Sequence, residues 1–190
     1  MGKFESSEVE REAVRTVAAM MAVSARTAPK ARGIDDTKTM VIDGDDLELI
    51  AGAMDDQAKE QPAHLAAIFT RDAGNVRKSS AILLVGVTGH PKVAAKPIDC
   101  GACGYGTCKQ LLEARTKQGK DFSGPVCMLQ SLDLGIALGS AVKTASEFNI
   151  DNRMMYTIGA AAKKLELLDS DVIIGIPLSA SGKSIYFDRK

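Results

Sequence analysis

The sequence predicts an α+β fold, a small mixed sheet flanked by helices, on two observations. Two apolar runs of strand length, Ala81-Ile82-Leu83-Leu84-Val85-Gly86-Val87 and Val172-Ile173-Ile174-Gly175-Ile176, are continuous rather than alternating, as in strands buried on both faces. Around them lie longer segments whose apolar residues recur at helical intervals. A chain of 190 residues suits one core of ordinary size, so a single domain over 1–190 is expected. Lys+Arg and Asp+Glu are equal at 24 each and Trp is absent, which removes the electrostatic and stacking bases for nucleic-acid or anionic-membrane binding.

In chain order, Ser7 to about Ala25 reads as a helix opened by a Ser7/Glu10 capping box, with Val9, Ala13, Val17, Met20, Met21 and Ser24 as its buried face. Pro29 ends it. The basic loop Arg26-Thr27-Ala28-Pro29-Lys30-Ala31-Arg32-Gly33 follows, readable either as a solvated connection or as a phosphate-holding loop. Lys38 to Ile42 is a short strand. Asp45 and Glu48 cap a second helix, and Pro62 starts a third through about Phe69, with Arg71 to Asn75 as its exit.

Residues 88–99 form a loop, 109–117 a helix and 119–125 a turn. Met128 to about Phe148 is a helix apolar nearly all round, the kind buried in a core or against another subunit. Asp151 caps a helix to about Leu167, and Ile185-Tyr186-Phe187 is a candidate last strand. Met20, Met21, Met154 and Met155 read as core filler. Asp133 and Lys143 interrupt the most apolar helical stretch, and the first residues carry no apolar signal-peptide core, so a cytoplasmic protein is expected.

All four cysteines lie between Cys100 and Cys127, in the pattern CxxC, four residues, Cys, eighteen residues, Cys. Clustering of this kind in a reducing compartment points to metal ligation over structural disulfides. Gly101, Gly104 and Gly106 suit a loop that turns sharply and brings backbone amides toward inorganic sulfide. Four thiolates hold zinc as well as an iron–sulfur cluster. Three cysteines in one glycine-rich loop with a remote fourth favour the cluster, since structural zinc sites usually pair two knuckles of two cysteines. Leu111, Leu112, Val126 and Met128 are the expected shielding neighbours. Residues 97–128 are therefore expected to form an inserted metal-binding lobe, with Cys100, Cys103, Cys108 and Cys127 as candidate ligands of an iron–sulfur cluster, [4Fe-4S] in type, with zinc as the alternative.

The cysteine segment resembles the small iron–sulfur domains of ferredoxin type. Elsewhere, the helix ending Ala25-Arg26-Thr27-Ala28-Pro29, the segment Leu134-Gly135-Ile136-Ala137-Leu138-Gly139 and the run Asp171 to Pro177 are similar, in the same order, to flavin-dependent nitroreductases. That resemblance implies a nitroreductase-like core, a homodimer and an FMN site. Its phosphate would fall to Arg26, Lys30 and Arg32, with Lys183 as a further cation. Lys30 stands where that family has a serine, and its arginine-serine-arginine segment has no counterpart here. Over nearly its whole length the chain resembles an uncharacterised prokaryotic family described as containing a ferredoxin domain, through the segments Ala25 to Gly33, Phe69 to Val76 and the cysteine loop.

These readings leave three functions in view: a one-cluster electron-transfer protein working with an unidentified redox partner protein, an FMN-dependent reductase fed through the cluster, and a structural zinc protein. His64 and His90 are isolated, Ser181-Gly182-Lys183-Ser184 lacks the upstream glycine and downstream helix of a phosphate loop, and no serine sits in a GxSxG elbow. No catalytic residue is assigned.

Overall fold

A computed structural model describes residues 2–92, 97–114 and 116–187. The loop expected over 88–99 and the helix expected to reach 117 include positions 93–96 and 115, which lie outside the described residues.

The order is α1 (Ser6–Thr27), β1 (Lys38–Asp43), α2 (Asp46–Lys59), α3 (Ala63–Val76), β2 (Ala81–Val87), α4 (Cys108–Glu113), β3 (Lys117–Gln118), β4 (Ser123–Gly124), α5 (Met128–Glu147), β5 (Asp151–Asn152), α6 (Tyr156–Lys164) and β6 (Val172–Ser179). The main sheet runs β1-β2-β6-β5, and β3 and β4 form a separate ribbon. Every pair is antiparallel, so the sheet is not mixed as expected.

β2 is buried along its whole length because each of its faces meets a layer of helices. Ile82 and Leu84 point to one side, into a core with Ile50 and Met54 of α2, Phe69 of α3 and Ile158 of α6. Leu83 and Val85 point to the other, into a core with Val14 and Met21 of α1 and Leu138 and Ala141 of α5. The period of two along an extended chain puts neighbouring side chains in different cores, and so the sequence reads as continuously apolar.

α6 lies close against β6 through glycine. A Cβ built on Gly159 would come within 1.8 Å of the Ile173 carbonyl oxygen, which is backbone and has no free rotamer to yield. Gly159→Ala is therefore expected to destabilise the fold by about 3 kcal/mol through overpacking, read as a lower urea midpoint.

Several local expectations give way. α1 begins at Ser6, with Glu5 at its N-cap and no side-chain cap, so the Ser7/Glu10 box is not used. Its buried face is Val14, Val17, Ala18, Met21 and Ala25, while Val9 and Met20 are exposed. Ala18 and Ala25 share the buried face of α1 with Val14, Val17 and Met21, packed in one core with Leu138 and Ala141 of α5. α3 continues through Asn75 rather than exiting at Arg71. Asp151 belongs to a strand, with α6 starting at Tyr156, and 185–187 is a turn. α5 is amphipathic, since Leu132 and Ile136 are exposed. Met154 is exposed as well and lies outside any helix, unlike the buried Met155.

Tyr186 is buried, with its hydroxyl 2.9 Å from Ser79 Oγ, and burial pushes its phenol up to about 12 against the opposing pull of two serine hydroxyls. The neutral phenol is the form the fold favours. Its contribution is complete below the unfolded value of about 10 and is lost as pH rises through about 12. Absorbance titration of tyrosinate is expected to show this ionisation well after that of a free tyrosine.

Candidate metal and cofactor site

The cysteine loop is shaped by bonds internal to it. Gly101 and Gly104 take positive φ, 71° and 87°, where a side chain would be strained, and the Gly104 N–H donates to the Gly101 carbonyl at 2.9 Å. Asp99 Oδ1 accepts from the Cys108 N–H at 2.6 Å, bracing the ends of the loop. Thr107 and Gln110 form a capping box that starts α4, and Leu111 on that helix is buried. Leu112, expected to shield the site, is exposed, whereas Val126 and Met128 are half-buried.

Cys127 is of a different kind. It is 5% exposed, stands at the N-terminal cap of α5, and its N–H donates to the Gly89 carbonyl at 2.8 Å. All four cysteines are free thiols, Cys100 exposed and Cys103 and Cys108 half-buried. Among the described residues no three cysteine, histidine, aspartate or glutamate side chains are gathered to hold a metal. The donor set suits a thiolate-ligated metal in its chemistry, while no three of these thiols converge on a common point.

Beneath Cys127 lies an ionic network that the sequence reading missed. Lys92, its side chain 1% exposed, donates to the Ile34 carbonyl at 2.6 Å and sits 3.2 Å from Asp36 Oδ2 and 2.8 Å from Asp133 Oδ2. The Asp133 contact is an ion pair set off hydrogen-bonding geometry. Asp133 Oδ1 accepts the Ala31 N–H at 2.9 Å, and Gln130 Nε2 bonds Asp36 Oδ2 at 2.6 Å and the His90 carbonyl at 3.1 Å. One lysine thus joins the segment entering the cysteine loop, the turn after α1 and the first turns of α5. A lysine between two prolines, read as loop, carried no signal of this.

The expected phosphate cations are placed unequally. Arg26 pairs with Asp35 at 2.6 Å and donates to the Thr37 carbonyl at 2.9 Å. Lys30, its side chain 6% exposed, donates to the carbonyls of Arg26 and Ala28 and lies 3.6 Å from Asp35. Asp35 thus already neutralises part of the charge these two residues offer. Arg32 is exposed, in a 3-10 turn (Ala31–Gly33) where both it and Gly33 take positive φ, 58° and 67°. Lys183 lies in the segment after β6, where its carbonyl accepts from Ser181 Oγ at 2.7 Å. No helix among the described residues is long and apolar enough to cross a membrane.

The chain is of the nitroreductase-like fold. It is similar to a nitroreductase family protein from Clostridium novyi NT (TM-score 0.54, 17% identity, 92% of this chain and 77% of that one). It is similar also to a BluB-like flavoprotein from Clostridium difficile 630 (TM-score 0.55, 16% identity, 99% and 89%). More specifically, residues 123–189 match the family described as "Uncharacterized protein containing a ferredoxin domain (DUF2148)", a span that includes Cys127 but not the other cysteines. A protein of Archaeoglobus fulgidus, described as an uncharacterized protein, is 47% identical over 186 residues, 98% of this chain and 97% of its own. The chain belongs to this ferredoxin-domain family.

Proposed function

We propose that the protein is an iron–sulfur redox protein that binds one [4Fe-4S] cluster through Cys100, Cys103, Cys108 and Cys127 and exchanges electrons with a partner protein. One observation carries this reading: every cysteine of the chain is a free thiol, and three of them share a loop turned by positive-φ glycines. The family description, with its ferredoxin domain, supports it. When bound, the cluster supplies a one-electron redox centre. The chain would supply the thiolates, with the buried Cys127 held in the folded core and the other three on the glycine-turned loop. Free thiols fit a reducing compartment such as the cytoplasm.

A second reading is an FMN-dependent reductase fed through the cluster. The fold supports it, as does the exposed Arg32 in its left-handed turn. It stands behind the first because Arg26 and Lys30 already face Asp35. Apolar side chains exposed on two long helices, Met20 and Val23 of α1 and Leu132 and Ile136 of α5, support a homodimer, which gel filtration tests. The two functional readings separate in one titration of FMN into anaerobic protein. Unchanged flavin fluorescence is expected for the first, while saturable quenching that Arg32→Ala removes would transfer the assignment to the second. Zinc on the same thiolates is the remaining alternative, distinguished by metal content.

A further inference from the structure

Phe69, Arg71 and Asp72, from the segment Phe69 to Val76 that the sequence singled out and the redox reading leaves unused, help to line a recess of about 450 Å³ between α3 and the start of α6. That volume lies within the range of small-molecule sites. Four large apolar side chains on its walls stay exposed: Leu65 and Ile68 from α3, Met154 at 43% and Tyr156 at 47%. Exposed apolar area gathered in one concavity, rather than scattered, is a mark of a binding surface.

Two arginines, Arg71 and Arg153, are among the residues that line the same recess. Arg71 is fixed by its neighbour: its Nε and Nη2 donate to Asp72 Oδ1 at 2.8 and 2.7 Å, and Thr157 Oγ1 of α6 donates to Asp72 Oδ2 at 2.8 Å. Both oxygens of this buried carboxylate are thus occupied, while the Arg71 side chain remains 44% exposed. Arg153 lies 5.3 Å over the ring of Phe187 and donates from Nη1 to the Tyr186 carbonyl at 3.2 Å, which orients it without neutralising its charge. The other acid at the site, Asp121, accepts from the Tyr156 hydroxyl at 2.5 Å; burial, then this bond, push that phenol up to about 12, so it stays neutral. The first turn of α6 has no side-chain cap and no acidic residue, which adds partial positive charge on the same side.

We propose that this recess binds a small organic anion, an oxyanion carried on a flat apolar body. Arg153 pairs the oxyanion, with the exposed edge of Arg71 beside it, and the body lies against Tyr156, Met154, Leu65 and Ile68. Carboxylates and phosphate monoesters share this chemistry. Both guanidinium pairing and apolar contact are needed, so neither a bare ion nor a neutral aromatic fills the role. The site draws on no cysteine and stands whether or not a cluster binds.

The test is methyl NMR on full-length protein labelled at its methionine methyls, titrated separately with benzoate, phenyl phosphate, inorganic phosphate and benzamide. Saturable shifts confined to Met154 and Met155 are expected with benzoate or phenyl phosphate, whichever binds more tightly naming the natural head group. Benzamide and inorganic phosphate are expected to bind at least about tenfold more weakly. Arg153→Met, at a partly exposed position, is expected to bring the better anion down to the benzamide level, and Arg153→Lys to retain part of the difference. Equal binding of benzoate and benzamide, shifts spread over remote methionines, or unchanged affinity in Arg153→Met would each overturn the proposal.

Discussion

Cys127→Ser is expected to strip the anaerobically prepared protein of most of its iron while leaving its fold intact. The two halves of that result come from the position of Cys127. As a candidate ligand it is the one anchored in the folded core: buried, at the cap of α5, with its N–H held by Gly89. The other three sit on a loop whose hydrogen bonds are internal, so without Cys127 they have no fixed sulfur to close on. Serine is close in size and is among the favoured N-cap residues, which keeps the start of α5 stable. Iron per chain should fall to less than about a quarter of the unsubstituted level, since a serine alkoxide is a poor substitute for thiolate. The thermal midpoint of the metal-free protein should move little. An unfolded variant, or one with full iron, would count against Cys127 as a ligand.

Lys92→Met is expected to be among the most destabilising single changes in the chain, by about 3–5 kcal/mol in urea unfolding, because it leaves Asp133 buried without its cation. Methionine nearly matches the lysine stem in volume, so the loss is that of charge. Adding Asp133→Asn to Lys92→Met should recover a large part of it, since an amide in place of the carboxylate removes the unpaired buried charge. The double-mutant cycle then reports a coupling that independent sites would not show. Additive effects of the two changes would mean that Lys92 acts through packing alone.

How far the sequence carried these conclusions depended on the range of the interaction. β2 was readable because burial on both faces writes an unbroken apolar run into adjacent positions. The buried face of α1 differs from its sequence pattern because it is lined in part by alanines, Ala18 and Ala25, which carry a weaker hydrophobic signal than the exposed Val9 and Met20. The four cysteines were legible as a possible ligand set from residue type and spacing, but spacing does not dictate where Cys127 lies relative to the loop. Asp35, only a few residues beyond the basic loop, is what pairs Arg26 and Lys30, and a list of cations alone could not show it. The Lys92 network unites residues from three distant segments, and Arg153, just ahead of α6, comes to line one recess with Arg71 of α3 only in the folded chain. Such junctions exist only in the folded chain.

Iron, acid-labile sulfide and zinc analysis of one anaerobic preparation decides whether the four cysteines hold a cluster. About four iron and about four sulfide per chain are expected, with broad visible absorption that bleaches on reduction. Stoichiometric zinc with no iron, no sulfide and no visible absorption would contradict the cluster.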